Sequence, residues 1–117
     1  MPANEPRLRS KDIEAFLSNR TTYAFDPSTL KRVATVMYHP NGECSALFEA
    51  GGGDDGHWGI AGETYWTKYR AFRDGSKNVF YLEWVAKDVV QAYYIDGSRA
   101  FLQSGQSELD ETDDVRP

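Results

Sequence analysis

The chain of 117 residues holds one cysteine, Cys44. That excludes an internal disulfide and any multi-cysteine metal site. No run of about 18 apolar residues occurs, so no transmembrane helix is encoded. The opening Met1-Pro2-Ala3-Asn4-Glu5-Pro6 lacks the apolar core of a secretory signal, and the expected location is the cytoplasm. Surplus positive charge is missing too, with 13 basic residues against 18 acidic ones and a net charge of −5. Much of the acid lies at the end, in Glu108, Asp110, Glu111, Asp113 and Asp114, against Arg116 alone. Without that stretch the body is nearly neutral. Nucleic acids and anionic membranes are met by basic patches, so neither is an expected partner.

Aromatic residues are what the chain has in quantity: seven Tyr, six Phe and three Trp. A composition this aromatic folds, and the length suits one domain. Residues 1–9, with two prolines, read as a flexible leader. Residues 10–103 read as the domain, and 104–117 as a solvated acidic tail. Ser10 suits a helix N-cap. Ile13, Phe16 and Leu17 then form one apolar stripe over a short helix, about Lys11 to Ser18. After Asn19 the period changes to two. Strands are expected over 21–25, 32–38, 44–50, 57–60, 63–72, 78–85, 88–95 and 99–103, with turns at Asn41-Gly42 and Asp96-Gly97. Eight short sequential strands without crossover helices pair antiparallel, and closing them into a barrel removes the edges. The expected fold is therefore all-β: an antiparallel barrel of about eight strands with one short N-terminal helix to plug an end. Such an interior is filled by side chains or holds one small ligand.

The face Phe80, Leu82, Trp84 is apolar and belongs to a core. The strands over 63–72 and 88–95 are mixed on both faces. A mixed inner face suits a ligand pocket of aromatic walls and a few polar groups; it equally suits a barrel whose tyrosine hydroxyls reach water. Eleven of the sixteen aromatics lie between Trp58 and Phe101, which places any pocket in that half. The expected ligand-binding residues are Tyr23, Trp58, Tyr65, Tyr69, Tyr81, Trp84 and Tyr93.

Several motifs read as ordinary structure. Gly51-Gly52-Gly53-Asp54-Asp55-Gly56 has the spacing of a dinucleotide loop. However, no helix opens after it, and two aspartates would repel phosphate. It reads as an inter-strand loop, and Asp54, Asp55 and His57 as solvated, so no metal and no cofactor is expected. In Tyr65 to Arg73, Lys68 and Arg70 share a face with Trp66, a basic pair shielding an indole. Cys44 reads as a small core residue.

The run Gly56-His57-Trp58-Gly59-Ile60-Ala61-Gly62-Glu63-Thr64-Tyr65-Trp66 resembles the G-x-W-x-hydrophobic-x-G-[DE] stretch of small bacterial lipocalin-like proteins. Asn78 to Trp84, followed by Val89 to Asp96, is similar to a paired-strand pattern of the calycin group, which includes the phenolic acid decarboxylases and the MoaF-like proteins. The resemblance covers residues 16–103 and implies a lipocalin-like barrel. It does not imply decarboxylation. The tyrosine pair that handles the carboxylate in the decarboxylases falls on Tyr23-Ala24-Phe25, their arginine on His57 and their later acid on Ala86, so one position of four is kept. Secreted relatives often carry a cysteine near Trp66, and this chain has none there.

The leading expectation is a binding protein for a small apolar or aromatic ligand. A cofactor-independent lyase, isomerase or cyclase in the same pocket is the alternative, with His57 and Glu83 as acid and base and Glu63 beside them. A protein-partner accessory module is a third reading. Sheet-edge pairing is a route to a homodimer.

Overall fold

In a computed structural model, which describes residues 7–107 and 109, the helix α1 (Ser10–Leu17) precedes eight strands. They are β1 (Arg20–Phe25), β2 (Arg32–Tyr38), β3 (Glu43–Phe48), β4 (Gly53–Ala61), β5 (Thr64–Tyr69), β6 (Lys77–Ala86), β7 (Val89–Tyr94) and β8 (Arg99–Ser104). Every neighbouring pair is antiparallel, and β8 returns to β1, closing the barrel. The closing seam is the shortest ladder, with Tyr23 opposite Ser104, Ala24 opposite Gln103 and Phe25 opposite Leu102. Closure gives every barrel strand a hydrogen-bonded neighbour on both sides.

Most boundaries shift by one or two residues from the sequence expectation, the third strand ending at Phe48 and not Ala50, and three differences have a visible setting. The helix starts at Ser10, one residue early, because the Asp12 carboxylate accepts the Arg9 N–H at 3.1 Å. The strand expected over 57–60 extends back to Gly53, since its ladder with β3 runs from Glu43 opposite His57 to Leu47 opposite Gly53. Most of the glycine-rich run is therefore strand, not loop. The next strand ends at Tyr69, after which the chain makes a 3-10 turn, Phe72–Gly75.

One end of the barrel is plugged. Ile13, Phe16 and Leu17 of α1 point inward and are buried; each contributes about 1.5–3 kcal/mol by leaving water. The residues just before the helix join in, although they were expected to be flexible. The Leu8 N–H donates to the Leu82 carbonyl at 2.9 Å, and the Leu8 side chain is fully buried. The reason is local. Pairing between β5 and β6 covers only Tyr65 to Lys68, so the far half of β6 has free backbone on that side. The rest of the leader lies outside the described residues.

A smaller apolar cluster lies outside the barrel, across the closing seam. Phe25, Val89 and Leu102 are buried there, with Tyr23, Leu30 and Leu109 packed against them. After β8 the chain doubles back over this patch, and Arg32 donates to the Ser107 carbonyl at 3.1 Å. The expected tail thus begins as a cover on the barrel; residues 108 and 110–117 lie outside the described residues.

Candidate functional site

Strand pairing decides which side chains point inward. Taking Leu82 as inside, its partner Ala92 is inside, and so are Phe80, Tyr94, Tyr65, Thr67, Tyr69, Phe101 and Gln103. On the opposite wall the inward residues are small: Ala24 on β1, Ala34 and Val36 on β2, and Ala46 on β3. Large rings therefore face alanines, and a cavity of about 240 Å³ remains between them. It lies toward the end opposite α1, where β1–β2, β3–β4, β5–β6 and β7–β8 connect. Its lining includes Phe48, Phe72, Phe80, Tyr94 and Phe101 as an aromatic wall, with Tyr38, Thr67, Tyr69, Asn78 and Gln103 as polar groups. No charged side chain lines it.

The floor is a hydrogen-bonded hub. Tyr65 donates to Gln103 Oε1 at 3.1 Å, while Gln103 Nε2 donates to Thr22 Oγ1 at 2.8 Å and to Tyr38 Oη at 3.2 Å. All four side chains are buried. Among the described residues every buried side-chain nitrogen and oxygen has a partner. Nearer the mouth, Asn78 Nδ2 makes only long contacts, 3.4 Å to Thr67 Oγ1 and 3.4 Å to the Ser76 carbonyl. A ligand polar group has room to improve on these.

Ionisation is suppressed throughout this interior. Burial pushes the Tyr38 phenol up to about 12 and the Cys44 thiol up to about 11. The Tyr65 and Tyr69 phenols are raised further, again chiefly by burial. The cavity is thus neutral at ordinary pH, and a charged guest would lose its hydration without a counter-charge.

The structure divides the seven expected ligand residues. Tyr69 lines the cavity. Tyr65 lies beneath it in the hub, and Trp58 lies lower still, its indole N–H donating to the His39 carbonyl at 2.8 Å. Trp84 was expected in the core with Phe80 and Leu82 but is 40% exposed at the plugged end, edge-on to Phe16 at 5.6 Å, next to an irregularity in the β6–β7 ladder. Tyr23, Tyr81 and Tyr93 stand on the outer face. The Tyr81 and Tyr93 rings stack there at 5.1 Å, with the Arg7 guanidinium 3.9 Å above Tyr81. Parity is the physical reason, since these residues alternate with Phe80, Leu82, Ala92 and Tyr94.

The expected acid–base pair is not brought together. His57 and Glu83 occupy outward positions on β4 and β6, with β5 between them. His57 is exposed. Glu83 faces Tyr93, whose phenol is raised by burial and then by that carboxylate. Glu63 is exposed and pairs with Arg7 and Arg9 at 3.9 and 3.7 Å. A hollow of about 740 Å³ on the outer face beside His57 is open and lined by both signs of charge: Glu43, Asp55, Lys68 and Arg70. On the neighbouring outer surface Lys77 covers the Trp66 ring at 4.6 Å, and Lys68 donates to the Gly75 carbonyl. Among the described residues no group of three or more His, Cys, Asp or Glu is arranged to hold a metal ion. No helix there is long and apolar enough to cross a membrane.

Sequence reasoning missed most of the cavity. Gln103, Tyr38, Asn78, Phe48 and Phe101 were not singled out. The usable signal was small residues at alternate positions, Ala24, Ala34 and Ala46, facing a half rich in aromatics. The chain matches no protein-family model, no curated protein and no solved structure.

The loops around the mouth share a construction. Asp26 accepts the Ser28 and Thr29 N–H groups, Asp54 those of Phe72 and Ala71, and Asp96 the Ser98 hydroxyl and N–H. Asp26 is held below its usual value first by the Thr29 N–H, Asp54 first by the Phe72 N–H, and Asp96 first by the Ser98 hydroxyl. A depressed carboxyl contributes stability above its unfolded value, and loses it as pH falls through the folded value. The mouth should therefore loosen in acid, below pH ~4. In an NMR titration the Thr29, Phe72 and Ser98 amides should shift together there. The Leu8 amide, bonded to a carbonyl, should not move. A Leu8 shift with the same midpoint would mean general unfolding instead.

Proposed function

We propose that this protein binds a small, uncharged, apolar or aromatic molecule in the barrel cavity. The observation that carries the reading is the cavity itself: about 240 Å³, walled by rings, with polar side chains and no charge in its lining. A dry apolar cavity of ~150 Å³ takes benzene. A guest of roughly 10–15 non-hydrogen atoms, about two fused rings, is matched to this one. The aromatic wall favours a flat guest, and the Asn78 amide and Thr67 hydroxyl favour one polar group on it. The same reading includes kinship with the calycins, whose fold is a plugged antiparallel barrel.

Native mass spectrometry of protein from its own host, before and after denaturation, should release a neutral molecule of this size. Indole serves as a defined probe. At 100 times its Kd it should add about 2.7 kcal/mol of stability. Ala34→Leu fills the alanine wall without adding charge. It should weaken indole binding at least ~10-fold and leave the melting temperature equal or higher, because filling a void commonly adds about 0.5–2 kcal/mol. Unchanged indole affinity in Ala34→Leu would place binding elsewhere.

A further inference from the structure

Every residue lining the cavity belongs to a strand except one, Phe72. Its ring stacks on Phe48 at 5.4 Å and 25°, and stands edge-on to Tyr69 at 5.8 Å and 88°. It is also 38% exposed. A ring with one side on the cavity and another in water is the boundary between them.

The segment carrying this ring is tied to the barrel differently from the other walls. No ladder holds it. Asp54 Oδ2 on β4 accepts the Ala71 and Phe72 N–H groups at 3.0 and 2.8 Å, and Lys68 Nζ donates to the Gly75 carbonyl at 2.6 Å. The two Asp54 bonds span 17 and 18 residues, so they tether the segment to β4, beyond its own turn bond from the Asp74 N–H to the Ala71 carbonyl at 2.9 Å. All lie at the surface, where hydrogen bonds open at low cost. Asp74 and Gly75 follow with φ of 58° and 74°, a left-handed pair at which the connection can pivot.

We propose that Phe72 is the gate of the cavity and Asp54 its latch. The ring swings outward with the connection between β5 and β6 to admit a guest, and the two N–H bonds to Asp54 return it. The strand-borne walls stay in place, because each belongs to a strand with a hydrogen-bonded neighbour on either side. The gate also sets selectivity: a flat aromatic guest lies against the ring when the latch closes, whereas a longer guest holds it open. This rests on the binding reading above.

The test is indole exchange on the full chain by NMR line shape, in wild type, Asp54→Ala, Asp54→Asn and Phe72→Ala. Asp54→Ala should raise the association and dissociation rates together by about tenfold, the factor expected from losing two exposed charge-assisted hydrogen bonds. Kd should then stay nearly constant. Asp54→Asn keeps one acceptor oxygen and should fall between. Phe72→Ala should exchange fastest and bind indole more weakly. If indole binds wild type and Asp54→Ala leaves both rates unchanged, the latch is wrong. A change in dissociation alone would make Asp54 a wall support and also overturn the proposal. Binding by Phe72→Ala but not by wild type would support a closed gate. Indole binding to neither would sink the binding reading, and the gate with it.

Discussion

Replacing Gln103 by leucine should lower the melting temperature by about 12–20 °C, the shift that a loss of about 3 kcal/mol gives a domain near this size. Leucine is close in size, so the effect is not a cavity. It comes from stranded hydroxyls. Gln103 joins Tyr65, Tyr38 and Thr22, which lie on three other strands. All are buried, and each group left unpaired costs about 1–3 kcal/mol. The hub also ties β8 to β1 next to the shortest ladder. Adding Thr22→Val and Tyr65→Phe to Gln103→Leu removes two of the stranded partners, and should recover more than half of the loss. If the triple variant melts lower than the single one, the hub is not the cause. Thermal denaturation by circular dichroism decides it.

Gly56→Ala is the second large effect. The backbone at Gly56 is not left-handed, so alanine suits its conformation. Space is the obstacle. A Cβ there would meet the Tyr69 Cα at 2.7 Å and the Lys68 carbonyl, which are backbone atoms of the facing strand. Side chains could turn aside, but a paired strand cannot without breaking its ladder. The cost should exceed ~3 kcal/mol, lowering the melting temperature by at least about 12 °C. A variant melting within about 3 °C of wild type would show that β4 and β5 can part there cheaply. Indole binding should weaken as well, since the displaced Tyr69 lines the cavity.

These two sites show how much was legible. The helix stripe, the strand count and the hairpin turns could be read because each is local. Phe80 and Leu82 announced an inner face by their own alternation. Barrel closure followed from the number of strands and the missing crossovers. What could not be read depends on register. Tyr81 and Tyr93 look like pocket residues until Phe80 is paired with Tyr94, and one step of pairing moves each to the opposite face. Gln103 belongs to a strand too short to show which side it presents, and its partner Thr22 is 81 residues away. The glycines of β4 hid a strand, because they have low strand propensity; only its two neighbours reveal the close approach, of β3 at Gly53 and of β5 at Gly56 and Gly59. The cavity was the least legible feature, being the space left by alanines on three separate strands.

The three-pair seam between β1 and β8 has a consequence in time. During synthesis β1 emerges early and can pair with β2, yet its other edge waits for a partner 81 positions later. At about 5–20 residues per second that interval is roughly 4–16 s. Hairpins form in microseconds, so every other strand finds a neighbour almost as soon as it appears. Throughout those seconds the nascent sheet is an open ribbon, with Ala24 and Phe25 at an edge that could recruit a foreign strand. The barrel exists only once its last strand is made, and its protection against aggregation arrives with it.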